Sequence, residues 1–205
     1  MNFFKKSFYY ILKVKDHKEN KQRILDEMDE VSNMLQHPKT IISNSDWGQR
    51  RKNWFLTSLS ERDKLNYCTF VAKKYIPEKE KDLAITDAWF NQYYGNTQSN
   101  HYWHNHVGQE GENCLRADLT SIYYVELHGK SLRTKLQDPE TKEEIIPRVN
   151  EGDILIMSSD IYHSSPPNIT SHRKSIISFN TVFEPKIMSN TLNISTSSYR
   201  QKYHQ

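Results

Sequence analysis

After Lys81 the chain breaks into short aromatic and β-branched runs separated by polar turns, a texture that packs as sheets and not as helices. The runs are Ala84 to Tyr94, His101 to His106, Leu119 to Leu127, Ile145 to Val149, Ile154 to Met157 and Ser175 to Phe183. Their spacing predicts an all-β sandwich or barrel over the later half of the chain. From Leu119 to Val125 both faces carry bulk, with Ile122 and Tyr124 on one and Leu119, Tyr123 and Val125 on the other, so this strand is expected at the centre of a sheet. Gly152-Asp153 marks a turn that launches Ile154-Leu155-Ile156-Met157, and Pro166-Pro167-Asn168 stiffens the loop that leads back toward Arg173. The stretch from Lys130 to Glu144 is charged and poor in apolar residues, and is expected to be a surface insertion or lid.

Before that point the periodicity is helical. Ile24, Leu25, Met28, Val31 and Leu35 recur on one side of a predicted helix over Lys18 to Gln36, which Pro38 ends. Ser60 with Asp63 resembles an N-terminal capping signal for a second helix, whose inner face is expected to carry Leu65, Cys68, Val71, Ala72 and Tyr75 before Pro77. The expected organisation is a helical region over 1–80 packed on a β core over 81–185, followed by a polar, weakly ordered tail over 186–205. The fold class is mainly β with flanking helices.

A length of 205 residues gives one domain with room for a real core. The formal charge of +3 is too mild for a dedicated nucleic-acid partner, and the early lysines read as a solvated helix face. Cys68 and Cys114 are far apart and in no metal-like spacing, which argues against a disulfide scaffold and for a reducing, cytoplasmic setting. The apolar stretch around Phe8 to Leu12 is too short for a signal peptide and is flanked by charges, and no segment approaches the length of a membrane span.

The chemistry concentrates in His104-Asn105-His106, a lone His163, and Arg173-Lys174-Ser175. In an extended segment side chains two apart share a face, so His104 and His106 can grip one metal ion and a third imidazole from another strand can close a facial site. Arg173 and Ser175 share a face by the same rule, and a guanidinium beside a hydroxyl suits a carboxylate.

Three stretches then resemble one family. Trp89-Phe90-Asn91-Gln92-Tyr93-Tyr94-Gly95-Asn96, Trp103-His104-Asn105-His106 and Thr120-Ser121-Ile122-Tyr123-Tyr124-Val125 look like the entry to the iron site in the 2-oxoglutarate and iron(II)-dependent oxygenases, in particular small bacterial and phage members related to prolyl hydroxylases. Gly152-Asp153-Ile154-Leu155-Ile156, His163 and Arg173-Lys174-Ser175 with Ile177-Ser178-Phe179-Asn180 resemble its distal half. The likeness spans residues 84 to 183.

The resemblance implies a double-stranded β-helix (jelly-roll, cupin-like) core. It implies His104 as proximal and His163 as distal iron ligand, Arg173 on the far carboxylate of 2-oxoglutarate with Ser175 and the Tyr124 hydroxyl, and Tyr94 lining the cosubstrate pocket. The implied activity is a dioxygenase, a hydroxylase in kind, that uses Fe(II), 2-oxoglutarate and O2 and forms succinate. Trp89, Tyr102 and Trp103 are expected to shape the substrate mouth. The chain departs from the family where His-x-Asp or His-x-Glu is usual, which leaves the third metal ligand open among His106, Asp118 and Glu110. The primary substrate, a small molecule or a protein side chain, is not written in these motifs.

Two other readings use the same residues. His104, His106, Glu110, Gly152 and His163 also resemble cupin metal motifs, which would make a non-oxidative metalloenzyme or a binder; that pattern has no need of a basic anchor near 173 and wants a glycine where Ala117 stands. The missing carboxylate also fits a metal-free binding module on the same scaffold.

Overall fold

The computed structural model describes residues 2–3, 8–34, 44–46, 54–75, 81–107 and 117–185. The elements before the core are β1 (Asn2–Phe3), β2 (Phe8–Lys13), α1 (His17–Met34), β3 (Asn44–Ser45), α2 (Trp54–Ser58) and α3 (Glu61–Tyr75). The core strands are β4 (Lys81–Tyr93), β5 (His101–His104), β6 (Leu119–Leu127), β7 (Lys135–Gln137), β8 (Glu144–Ile145), β9 (Asp153–Ser158), β10 (Tyr162–Ser165) and β11 (Lys174–Pro185). A larger sheet runs β1-β2-β9-β6-β11-β4-β3 and a smaller one β5-β10-β7-β8, with every described pairing antiparallel.

The larger sheet is covered on both faces, and the strand period of two sorts its side chains into two cores. Toward the helices, Leu119, Tyr123 and Val125 of β6, Ile154 and Ile156 of β9, and Ile177 and Phe179 of β11 pack with Ile24, Met28, Trp54, Phe55 and Tyr67. Toward the smaller sheet, Ile122 and Tyr124, Leu155 and Met157, and Ile176 pack with Leu132, Leu136, Val149 and Ile161. β6 lies between β9 and β11, the central place its two-sided bulk predicts.

Helix α3 begins as its capping signal requires. The Ser60 hydroxyl accepts the Asp63 N–H at 3.2 Å. The Asp63 carboxylate then takes the backbone N–H groups of Lys15 and Asp16 at 2.8 and 2.9 Å, tying the entry of α1 to the start of α3. The buried side of α3 carries Asp63, Lys64, Tyr67, Cys68 and Val71, and Leu65, expected inside, is 62% exposed. The stripe keeps Cys68 and Val71 and takes in Tyr67, whose hydroxyl reaches Ser121 and Thr181 of the sheet, each at 3.0 Å.

Two further expectations are corrected. The N-terminal region is not only helical, since β2 pairs with β9 across Tyr9↔Met157 to Lys13↔Asp153. The stretch from Lys130 to Glu144 is not a surface lid, because β7 pairs with β10 inside the smaller sheet. Leu132, Thr134, Leu136 and Asp138 are all buried, a strict alternation hidden by the charged residues between them. Complete burial of Leu132 and Leu136 stabilises by about 1.5–3 kcal/mol each. The strand expected over Ile145 to Val149 stops at Ile145, and Ile146 is exposed. Leu35, Pro38, Pro77, Glu110, Cys114 and the stretch 186–205 lie outside the described residues.

Candidate metal centre

Three imidazoles converge at the open edge of the smaller sheet. His104 ends β5 and is the register partner of His163 on β10, which sets the two rings opposite each other with centroids 4.2 Å apart. His106 lies just beyond β5, where its N–H donates to the Ser159 carbonyl at 2.9 Å; its ring centroid is 5.3 Å from that of His104 and 5.1 Å from that of His163. One ring nitrogen from each of the three falls within 4.8 Å of the others.

Each ring is held through Nδ1 by an oxygen that can only accept. The acceptors are the Tyr102 carbonyl for His104 at 2.9 Å, the Asn180 side-chain Oδ1 for His106 at 2.7 Å, and the Ile161 carbonyl for His163 at 3.3 Å. With the proton on Nδ1, every Nε2 keeps its lone pair, which is the form a metal ion binds. Burial holds all three rings neutral: His104 below its ordinary value, His106 at about 4, and His163 well below, where the neighbouring imidazoles add to the effect. A fourth ring, His101, stacks on His104 at 4.2 Å, and Trp89 stacks on His106 at 5.7 Å.

The cleft beside the cluster spans about 330 Å³ with the open solvent at its mouth counted, and is lined by Trp89, Asn91, Tyr93, His101, Thr134 and Ser165 together with the three histidines. Lys174 borders it. Its ammonium donates to Ser165 Oγ at 2.8 Å and lies 5.0 and 5.8 Å from the ring centroids of Tyr93 and Tyr124. The residue is 1% exposed, and among the described residues no carboxylate pairs with it. Burial alone pulls its pKa down to about 7. A buried cation with no counter-ion is costly unless a ligand brings the negative charge.

Arg173 does not reach this cleft, which corrects the expected carboxylate anchor. Its Nε donates to Glu126 at 2.8 Å and its NH1 to Asp29 of α1 at 2.6 Å, on the helix side of the sheet. Ser175 is on the same side and donates to Glu126 at 3.1 Å. Tyr94 likewise turns away and donates to Gln92 Oε1 at 3.2 Å. The cause is the strand period: a shift by one residue exchanges faces, so Tyr93, one position away, lines the cleft and Lys174 points to the same side, against Ser165 and Tyr93. Tyr124 is on the cleft side, but its hydroxyl donates to Thr134 Oγ1 at 2.8 Å. The Asp118 carboxylate accepts the Phe183 N–H at 2.7 Å and is not part of the cluster. Tyr102 and Trp103 are exposed beside the mouth. Asn180, Thr134 and Ser165 had no sequence signal beyond polar side chains on strands that otherwise read as core.

No protein-family model and no curated protein matches the sequence. Solved structures do match. A viral collagen prolyl hydroxylase from Paramecium bursaria Chlorella virus-1, in complex with 2-oxoglutarate, superposes with a TM-score of 0.57 at 14% identity, covering 87% of this chain and 97% of that one. The fold is that of the 2-oxoglutarate and iron(II)-dependent oxygenases. A prolyl-4-hydroxylase from Pseudomonas putida gives a TM-score of 0.55 at 10% identity, with 87% and 92% of the two chains covered. HygX from Streptomyces hygroscopicus, with nickel and 2-oxoglutarate bound, gives 0.54 at 8% identity, with 87% and 83% covered. The expected double-stranded β-helix core is therefore the architecture present.

Proposed function

We propose that this protein is a non-haem Fe(II)- and 2-oxoglutarate-dependent dioxygenase, a hydroxylase of a small molecule or of a protein side chain. In this reading His104, His106 and His163 hold iron and Lys174, in place of Arg173, pairs with the far carboxylate of 2-oxoglutarate. One observation carries it: three imidazoles with ligand nitrogens within 4.8 Å of one another line a cleft, and behind its Ser165 wall lies a buried ammonium that no carboxylate among the described residues pairs with. The three solved neighbours are hydroxylases or a 2-oxoglutarate-binding protein, which supports the same assignment.

Bound iron would supply the oxidative chemistry, in which O2 and 2-oxoglutarate give succinate, carbon dioxide and an oxidised substrate. The residues of the chain supply placement. The neutral imidazoles leave the metal its full positive charge toward the acidic end of the cosubstrate. Lys174 fixes the other end, with Ser165 and Thr134 as polar neighbours, and the Tyr93 and Tyr124 rings keep water from the ammonium. Trp89, stacked on His106, walls the cluster on the side of β4.

None of the described helices is long and apolar enough to cross a membrane. The free, buried Cys68 supports a reducing, cytoplasmic setting.

The test is turnover of 2-oxoglutarate by the iron-loaded full chain. Slow formation of succinate without added substrate, abolished by His163→Ala, is the expected result. Metal retained with no response to 2-oxoglutarate would favour a cupin-like metalloprotein, and failure to retain metal a metal-free binding module.

A further inference from the structure

His104 and His163 are oriented by carbonyls two residues earlier in the chain, a support that any histidine at those positions would find. His106 is different. Its Nδ1 meets a side chain from a distant strand, Asn180 of β11, at 2.7 Å. The same Oδ1 also accepts the hydroxyl of Thr120 at 3.2 Å, and Thr120 on β6 is the register partner of Asn180. Both residues are buried, and Trp89 from β4 lies against the other face of the arrangement with its ring 21° from that of His106.

An amide can meet an imidazole in two ways. With Oδ1 toward Nδ1, the ring proton sits on Nδ1 and Nε2 faces the cluster as a lone pair. With the amide nitrogen there instead, it would donate to Nδ1 and leave the proton on Nε2, a form that cannot ligate. The structure has the first arrangement, with the Thr120 hydroxyl donating to the same oxygen.

We propose that Asn180 is the positioning residue that makes His106 serve as the third ligand of the cluster. It fixes the His106 tautomer and ring direction through a neutral oxygen, and so adds no charge to the centre. This rests on His106 being a metal ligand.

The experiment is anaerobic titration of the full chain with cobalt(II), reading affinity in the wild type, His106→Leu, Asn180→Leu and Asn180→Asp, with a thermal melt of each. His106→Leu is expected to weaken binding more than about 100-fold and Asn180→Leu by about 10- to 100-fold, the range for losing an outer-shell partner. Asn180→Asp, which keeps the acceptor, is expected to bind as tightly as wild type or more so. A merely structural role would lower the melting temperature of Asn180→Leu and leave the cobalt affinity of the folded protein unmoved. Wild-type affinity in Asn180→Leu beside weak binding in His106→Leu would overturn the proposal and leave the ligand assignment standing. Wild-type affinity in His106→Leu would remove the ligand assignment and the proposal with it. Should Asn180→Leu not fold, a tenfold or greater weakening in Asn180→Asp overturns the proposal by itself.

Discussion

Arg173 and Lys174 are neighbours in the chain and sit on opposite faces of one sheet, where the two cations do different work. Arg173 faces α1, is partly solvated, and has both Asp29 and Glu126 for partners. Lys174 faces the cleft, is buried, and has one hydroxyl and two aromatic rings. The same contrast runs along β11: Ile177 and Phe179 close the core under the helices, while Ser178 lines the cleft and Asn180 reaches His106. On one face Arg173 is paired with two carboxylates; on the other, no carboxylate among the described residues pairs with Lys174.

The largest expected break in that contrast comes from the cluster itself. His163→Ala should weaken cobalt or iron affinity by more than about 100-fold in a metal titration, since even outer-shell changes cost 10- to 100-fold. Next comes the exchange of the two cations. Lys174→Met should lower 2-oxoglutarate affinity by about 100-fold with metal affinity retained, and should leave the melting temperature unchanged or raised, because an unpaired buried charge is removed. Arg173→Met should do the reverse: 2-oxoglutarate affinity within twofold of wild type, and stability lower by about 1–2 kcal/mol in denaturant unfolding, a figure reduced for the partial exposure of the pair.

A pH series sharpens the comparison further. Burial holds the Lys174 amine at about 7, below its ordinary range. A diacid seated against it favours the ammonium and raises that value, so binding takes up a proton. Affinity for 2-oxoglutarate should then be level below pH 7 and fall by up to tenfold per pH unit above it, measured by calorimetry in two buffers. The groups facing Lys174 do not supply a compensating negative charge: Tyr93 and Tyr124 are held neutral by burial, Ser165 is a hydroxyl, and His101 is pulled down to about 4 by burial and by the nearby histidines. The smallest effects lie on α3. Tyr67→Phe should cost about 1 kcal/mol through the two lost hydroxyl contacts, and Leu65→Gln should stay within about 0.5 kcal/mol.

Much of the core was legible because the apolar strands announce themselves: β6 runs over Leu119 to Leu127 as the pattern predicts, and β9 and β11 extend theirs by a residue or two at each end. The histidines were legible for the same reason, since a period of two aligns His104 with His106. What failed was the choice of face. Arg173-Lys174-Ser175 offers a cation on either side, and the more versatile carboxylate partner, Arg173, belongs to the helix side. Only the packing of α1, with Asp29 waiting over that face, decides between them. The strand β7 escaped notice because Arg133, Lys135 and Gln137 occupy the half-buried positions between Leu132, Thr134 and Leu136 and dilute their alternation. Asn180 could not be read at all, as nothing local marks an asparagine that meets a ring 74 residues away.

The most direct test is anaerobic titration of the iron(II)-loaded protein with 2-oxoglutarate, followed by visible absorption. A charge-transfer band that saturates in wild type and in Arg173→Met at the same concentration, and needs about 100-fold more 2-oxoglutarate in Lys174→Met, is the predicted result. A band lost in Arg173→Met and kept in Lys174→Met, or absent from a wild type that has retained its metal, would contradict it.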